Sequence, residues 1–228
     1  MAEDTRAYEE LRVGFTAAVS HELRTPLARL LSLLETASLP GADRDGLLAQ
    51  AREEVEEMSE LVDDVLFLSE LESGREVVAL GSTPALPVLE EVRGRLADSA
   101  ERADLTIRVD ASPDVELPLR RRMLHVVAEN LAENALRYAG PGSTLTLTAR
   151  RGELEAADDG RGVAPDELAR VFERFYRGDR ARASRGTGLG LAIVKHVVVA
   201  AGGEVEAAGS PGHGFTVRCV FASTRESG

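Results

Sequence analysis

Apolar residues recur every three or four positions through the first seventy residues of the chain. Such spacing is typical of amphipathic helices, because one helical turn takes 3.6 residues. Pro40 and Gly41 interrupt the pattern, so we predict two helices joined by a short loop as an antiparallel hairpin. The apolar stripe of the second helix comprises Leu48, Ala51, Val55, Met58, Val62 and Val65, widened by Leu61, Leu66 and Leu68. One hairpin cannot bury so wide a stripe, whereas two hairpins can bury it in a four-helix bundle, so we predict a homodimer.

From about Leu86 onwards, the pattern alternates between helical and strand periods. Helices are predicted over 86–100, 119–138 and 189–201, and strands over 105–109, 144–150, 153–157, 204–207 and 215–221. Because these elements interleave without a strict βαβ repeat, we predict an α/β sandwich in which helices cover one face of a mixed sheet. The expected domains are therefore a helical hairpin over 1–76 and an α/β domain over 84–223, connected by a hinge.

Composition and charge narrow the functional classes. The 228 residues carry a formal net charge of −12, which argues against a nucleic-acid partner because phosphate contacts need a basic surface. The single cysteine, Cys219, excludes an internal disulfide and fits a reducing compartment. No apolar run approaches the roughly 20 residues that span a bilayer, and the polar, acidic start does not resemble a signal peptide. We expect a cytoplasmic location.

His21 is the first candidate for chemistry, in the stretch Ser-His-Glu-Leu-Arg-Thr-Pro-Leu over residues 20–27. A lone histidine beside an apolar stripe is more often a surface residue without a role. Here Pro26 removes a backbone hydrogen bond just after it, at a cost in stability that indicates a site. Glu22 can hold or remove an imidazole proton, so His21 is a candidate nucleophile.

Asn130 and Asn134 lie four residues apart and therefore share one face of a predicted helix. Asparagine is a mediocre helix former, and its amide oxygen is a suitable ligand for Mg²⁺. Taken alone, this pair can equally be two solvent-facing polar residues.

Two glycine-rich stretches follow. In 158–162, Asp-Asp-Gly-Arg-Gly, the glycines let the backbone approach a planar ring while a carboxylate accepts from an exocyclic amine, although the same letters form ordinary turns. In 186–190, Gly-Thr-Gly-Leu-Gly opens a helix whose free N–H groups favour an anion such as a triphosphate. It matches neither a P-loop nor a dinucleotide fingerprint.

Between these stretches lies 171–177, Val-Phe-Glu-Arg-Phe-Tyr-Arg, followed by 178–185 without large apolar anchors. We predict that 178–185 is a mobile lid with phosphate-seeking arginines. Phe172 and Phe175 can also be simple core residues.

Together and in this order, these stretches resemble a sensor histidine kinase of two-component signalling. SHELRTPL resembles the phosphoacceptor box, NLAENALRY the asparagine box, DDGRGV the aspartate-glycine box, VFERFYR the phenylalanine box and RGTGLGLAIV the second glycine box. Each box is weak alone, but five in the correct order and spacing are specific. The resemblance covers roughly residues 15–221. It implies a dimerisation and histidine-phosphotransfer hairpin followed by an ATP-binding domain of the gyrase and Hsp90 kind.

The resemblance also implies residue roles. His21 is the expected phosphoacceptor, Glu22 its acid/base helper, and Thr25 the residue that positions water to dephosphorylate the partner. Asn134 is the expected Mg²⁺ ligand, with Asn130 close to the phosphates of ATP. The other expected nucleotide contacts are Arg137, Tyr138, Asp158, Gly160, Gly162, Phe175, Arg177, Gly186, Thr187, Gly188, Leu189 and Gly190. Of these, Asp158 takes the adenine amine, Tyr138 packs on the adenine, Arg137 reaches phosphate, and the glycines give backbone clearance.

The implied function is ATP-dependent autophosphorylation of His21 and transfer to an aspartate of a response regulator, with phosphatase activity toward that regulator. Such a chain would contact a membrane only through a sensor segment that this sequence lacks. Three alternatives stay open: a kinase fold whose dominant activity is dephosphorylation, a nucleotide-sensing dimeric scaffold, and, less favoured, a gyrase- or Hsp90-like ATPase.

The chain departs from the family pattern at three places. Asp159 stands where the family usually has asparagine, which adds negative charge beside the site. The lid between Arg177 and Gly186 is short, and the stretch 212–215, Gly-His-Gly-Phe, predicts a tight closing hairpin.

Overall fold

A computed structural model of the chain describes residues 2–73, 81–178 and 186–222, with side chains from residue 18 onwards. The chain divides into two compact units, Met1–Phe67 and Leu68–Gly228. Helices α1 (Ala2–Ala37) and α2 (Arg44–Glu72) form the predicted hairpin, and α1 continues through Pro26. None of the helices in the described ranges is long and apolar enough to cross a membrane. The domain limits 1–76 and 84–223 stay predictions, and the predicted helix end at Gly74 lies outside the described residues.

The apolar residues of the hairpin form two stripes rather than one. Every third or fourth position of α2 is buried or half-buried, namely Leu47, Ala51, Glu54, Met58, Leu61 and Val65. A second set of large apolar residues is exposed in the single chain: Leu27, Leu31 and Leu34 on α1, and Leu48, Val55, Val62 and Leu66 on α2. The apolar stripe that the sequence predicted for α2 contained residues of both the buried and the exposed set. An exposed apolar stripe of this length is the kind of surface that a partner helix covers.

The second unit alternates helices and strands. In chain order it contains β1 (Thr83–Pro84), α3 (Ala85–Arg95), α4 (Ala97–Ala103), β2 (Thr106–Ala111), β3 (Glu116–Leu117), α5 (Arg121–Tyr138), β4 (Thr144–Arg150), β5 (Glu153–Asp158), α6 (Pro165–Leu168), α7 (Gly190–Ala200), β6 (Gly203–Gly209) and β7 (Phe215–Phe221). The main sheet has the order β2-β4-β5-β7-β6, and β1 pairs with β3. Strand β2 runs parallel to β4, and the other neighbours are antiparallel.

Helices cover one face of this mixed sheet, as predicted. Alternate strand residues such as Leu145, Leu147 and Leu154 are fully buried beneath α3, α5 and α7, whereas Thr146 and Thr148 between them are half-exposed. Cys219 belongs to the buried set, and burial raises the pKa of its thiol to about 12. The cysteine is therefore an apolar core residue.

The predicted helix over 86–100 is two helices, because Leu96 leaves helical geometry (φ −92°, ψ 3°) between α3 and α4. Three elements were not predicted, namely β1, β3 and α6. They have two to four residues each, too few to produce a periodic pattern.

Candidate functional site

The C-terminal half of α5 is the centre of the candidate nucleotide site. Asn130 and Asn134 share a face of this helix and are both half-buried. The Asn130 amide nitrogen donates to the Val126 carbonyl at 2.9 Å. Its oxygen faces the first residue of α7, where a Cβ on Gly190 would lie 2.6 Å from that oxygen. Glycine at position 190 therefore leaves room for the Asn130 amide between α5 and α7.

Asn134 has an amide that makes no hydrogen bond to the described residues. Its oxygen is available to a hard cation, and Mg²⁺ takes few protein ligands and completes its octahedron with phosphate and water. Among the residues whose positions are described, no group of three or more His, Cys, Asp or Glu side chains is suited to a metal ion. Asn134 as a ligand of Mg²⁺ stays a prediction.

Asp158 ends β5, and its carboxylate is held by the backbone. One oxygen accepts from the Gly160 N–H at 2.9 Å. Burial raises the pKa of this carboxyl, the N–H groups of Gly160 and Phe215 oppose that rise, and the charge of Asp159 adds to it. A half-buried carboxylate fixed in this way can accept from one exocyclic amine in a defined geometry.

Asp159 points elsewhere. Its carboxylate accepts from the Thr144 N–H at 2.6 Å, and its own N–H donates to the Thr144 carbonyl at 3.2 Å. The residue thereby extends the β4–β5 ladder by one step. Where the family usually has asparagine, this aspartate therefore holds the start of β4.

The loop after Asp158 approaches the end of α5 closely. A Cβ on Gly160 would lie 2.4 Å from the carbonyl oxygen of Ala139, and the Arg161 N–H donates to that same oxygen at 3.0 Å. Only glycine allows this approach, because a side chain would collide with backbone atoms. Gly162 adopts φ +66°, and a Cβ there would lie 1.9 Å from the Ser210 carbonyl oxygen of the closing hairpin.

Replacing Gly162 by alanine is expected to destabilise the fold by more than about 3 kcal/mol, because strain at a positive φ adds to a collision with backbone. Gly212→Ala is the matched control, since Gly212 has φ +79° and nothing within 4 Å of a Cβ. Its expected cost is only about 1 kcal/mol, from the backbone conformation alone. Urea unfolding measures both free energies, and equal losses would contradict the proposed collision.

The stretch 186–190 connects the phenylalanine-rich segment to α5 and α7. Gly188 has φ +69°, and a Cβ there would lie 2.9 Å from backbone atoms of Phe175. Phe175 itself has φ +61° and donates its N–H to the Gly188 carbonyl at 3.0 Å. A Cβ on Gly186 would lie 3.2 Å from the Arg137 guanidinium and 3.4 Å from the Tyr138 hydroxyl.

Thr187 and Leu189 are buried, so their backbone rather than their side chains can face a ligand. The Thr187 hydroxyl accepts from the Leu189 N–H at 3.2 Å, one residue before α7 begins. Arg137 pairs with Glu133 on its own helix at 3.4 Å, and Tyr138 and Arg177 are half-buried. Residues 179 to 185 of the predicted lid lie outside the part of the chain that the structure describes.

The candidate phosphoacceptor region lies in the first unit. His21 and Thr25 are exposed on α1, Glu22 is half-buried and Pro26 is buried. A shallow surface depression of about 470 Å³, called the open cavity below, is lined by His21, Arg24, Thr25, Ala28, Arg29 and Ser32. These residues follow one another at helical spacing on one face of α1. The sequence prediction missed Arg29 and Ser32, although their positions four and seven residues after Thr25 place them on that face.

The structure thus groups the predicted site residues into two sets. The set from Asn130 to Gly190 surrounds the end of α5 in the second unit. The set of His21, Glu22 and Thr25 lies on α1 in the first unit. The assignment of each residue to a ligand or a step stays a prediction.

Comparison with known proteins supports the same division. Residues 11–74 match the His Kinase A (phospho-acceptor) domain, and residues 120–225 match the family of histidine kinase-, DNA gyrase B- and HSP90-like ATPases. The sensor-like histidine kinase SenX3 of Mycobacterium tuberculosis is 34% identical over 234 residues, which cover 98% of this chain and 57% of SenX3. The chain therefore spans little more than half the length of this curated relative.

Two solved structures are also similar. The Acinetobacter baumannii histidine kinase AdeS has a TM-score of 0.72 at 26% identity, covering 90% of this chain and 98% of AdeS. Full-length ShkA in complex with AMPPNP has a TM-score of 0.62 at 30% identity, covering 91% of this chain and 46% of ShkA. With both domain families matched in order along one chain, the protein belongs to the sensor histidine kinases of two-component signalling and carries their phosphoacceptor and ATPase domains.

Proposed function

We propose that this chain is an ATP-dependent protein-histidine kinase that phosphorylates His21 and then passes the phosphoryl group to an aspartate of a response regulator. The observation that carries the proposal is the exposed imidazole of His21, in an open cavity beside Glu22, in a chain whose residues 120–225 also match the histidine kinase-, DNA gyrase B- and HSP90-like ATPases. An exposed imidazole is accessible to a phosphoryl donor, and a fixed carboxylate at Asp158 supplies adenine recognition.

ATP is the proposed phosphoryl donor. Asp158 would accept from the adenine amine, and Tyr138 would pack on the ring. The glycines at 186, 188 and 190 carry no side chains on the approach to α7, so backbone N–H groups in the first turn of α7 can face phosphate. ShkA, at 30% identity, is described in complex with AMPPNP, and we extend nucleotide binding to this chain by that similarity.

Magnesium is the proposed cofactor, held by the Asn134 amide together with the phosphates. It would neutralise charge on the transferred group. Asn130 would lie close to the phosphates, since its amide oxygen faces Gly190 at the start of α7.

In the proposed transfer, an imidazole nitrogen of His21 attacks the γ-phosphorus in line with the departing oxygen. The N–P bond forms as the bond between the γ-phosphorus and the β,γ-bridging oxygen breaks, and ADP leaves. Glu22 accepts the proton that the attacking imidazole must lose. Positioning and electrostatics supply most of the rate, because the group transferred needs little covalent assistance.

The proposal is tested by incubating the chain with Mg²⁺ and ATP labelled at either the γ or the α phosphate. We expect γ label to enter the protein as an acid-labile, alkali-stable adduct, and α label to be absent. EDTA should prevent labelling. The proposal would be rejected if the chain took up no γ label, either alone or in the presence of a second copy carrying His21→Gln.

The proposed assembly is a homodimer, because the exposed apolar stripe of α1 and α2 requires cover. The proposed second partner is the receiver domain of a response regulator. We place the reaction in the cytoplasm, where ATP is supplied, and any membrane contact would come from a sensor segment.

A phosphatase activity toward the regulator is the second candidate, because exposed Thr25 lines the same cavity as His21. Thr25→Ala is expected to lengthen the lifetime of the phosphorylated regulator by about tenfold or more, since a positioned water is lost. Labelling of His21 should fall by much less. Regulator lifetime is followed with and without the chain, and Ser32→Ala is the control from the same cavity. An unchanged lifetime with Thr25→Ala would remove this candidate.

A further inference from the structure

Glu54 is a charged residue inside an apolar seam. Its neighbours at helical spacing on α2, namely Ala51, Met58 and Leu61, are all buried or half-buried. The Glu54 side chain is only 12% exposed, and one of its carboxylate oxygens is buried without a hydrogen-bond partner among the described residues. The other oxygen lies 3.7 Å from the Arg29 guanidinium on α1.

Stability does not explain this arrangement. Burial of a carboxylate costs free energy unless it is well paired, and a single contact at 3.7 Å to an arginine that is 60% exposed compensates only weakly. A leucine would fit the seam better. A charged residue at a position where the packing favours an apolar one is expected where the residue serves function rather than stability.

The role is indicated by where Arg29 lies. Arg29 lines the cavity that contains His21, and that cavity is lined by two guanidinium groups, from Arg24 and Arg29, and by no carboxylate. Arg29 follows His21 by eight residues, which is about 12 Å along a helix. At that distance the Arg29 backbone lies two turns beyond that of His21, and the Arg29 guanidinium can touch a protein that docks over the cavity.

We propose that Glu54 is a positioning residue: it holds the Arg29 guanidinium at the rim of the cavity, where Arg29 binds an acidic group of the protein that accepts the phosphoryl group. An exposed arginine loses rotamer entropy when it is fixed by a partner. Anchoring by Glu54 removes part of that loss before docking occurs. The inference rests on the proposed function and adds to it the charge of the docking partner.

The test compares Glu54→Leu, Glu54→Gln and Arg29→Gln in the full chain, with exposed Glu56→Gln as the control. The probe is the receiver domain that accepts label fastest from the wild-type chain in a panel of receivers from the same genome. We expect Glu54→Leu and Arg29→Gln each to raise the receiver concentration for half-maximal transfer about five- to tenfold, with the maximal rate retained. The double variant should add nothing further.

Thermal unfolding supplies the readout that separates positioning from structure. Glu54→Leu should unfold at the same or a higher temperature than wild type while it transfers less well. A Glu54→Leu chain with wild-type half-maximal concentration overturns the proposal, and so does a loss of transfer that parallels a lower unfolding temperature in both Glu54 variants. Failure of the proposed function is distinct, because the wild-type chain would then carry no label on His21.

Discussion

Replacing His21 by glutamine abolishes the acid-labile, alkali-stable label from γ-labelled ATP, with an expected loss of more than about a thousandfold. Glutamine preserves much of the size and polarity of the imidazole, but its amide nitrogen is not a nucleophile. Because His21 is exposed on α1, the substitution should change the free energy of unfolding by less than about 0.5 kcal/mol. Labelling after gel filtration, with unfolding measured in parallel, separates lost chemistry from lost folding.

His213→Gln is the matched control, since His213 is also exposed but lies in the turn of the closing hairpin between β6 and β7. This variant should take up label as wild type does. Equal labelling of the His21 variant would reject His21 as the phosphoacceptor. Loss of label in both variants would instead indicate a shared folding defect.

The features that the sequence predicted well are the long periodic ones. Helices α1, α2, α5 and α7 each repeat apolar residues over several turns, so their existence followed from spacing alone. The mixed sheet with helices on one face also followed, because strand patterns interleaved with helical ones. Elements with fewer than five residues carry no period and were missed.

Sequence spacing could not show contacts between residues far apart in the chain. The hydrogen bond between the Thr144 N–H and the Asp159 carboxylate joins the ends of two strands. It forms only once β4 pairs with β5. The approach of Gly160 to Ala139 likewise depends on where α5 ends. On the hairpin, two apolar stripes one residue apart, through Leu47 or through Leu48, offered equally good periods. Tertiary packing decides which stripe is buried.

The glycine-rich motifs illustrate the same limit in another way. Their composition predicted that the backbone comes close to a ligand, which stays a prediction, and in the structure Gly160 and Gly188 come close to other parts of the protein backbone. It did not reveal what they approach, since Gly188 meets the backbone of Phe175 and Gly160 meets α5. The glycines of these motifs therefore allow the segments around α5 to pack closely against one another.

The second large effect is a loss of ATP affinity on substitution of Asp158, and the same substitution at the neighbouring Asp159 is its control. Asp158→Asn should lower ATP affinity about a hundredfold. If the amide oxygen of the asparagine accepts from the Gly160 N–H, its NH₂ group faces the adenine amine, so that two hydrogen-bond donors meet and no acceptor remains. Asp159→Asn retains an oxygen for the Thr144 N–H and removes one negative charge near the triphosphate. It should raise ATP affinity about two- to threefold at low salt, an increase that added salt screens.

Titration calorimetry with a non-hydrolysable ATP analogue measures both affinities, and the unloaded variants should unfold close to wild type. Acidification supplies an independent check. Burial raises the pKa of Asp158, and adenine binding needs its ionised form, so affinity is full above that raised pKa and falls as pH decreases through it. Adenosine has no phosphates to titrate over this range, and the Asp158→Asn variant, which should lack the effect, separates it from protonation of the adenine ring. If Asp159→Asn instead shows the large loss, the adenine-binding carboxylate is Asp159, and the ladder contact with Thr144 must break when nucleotide binds.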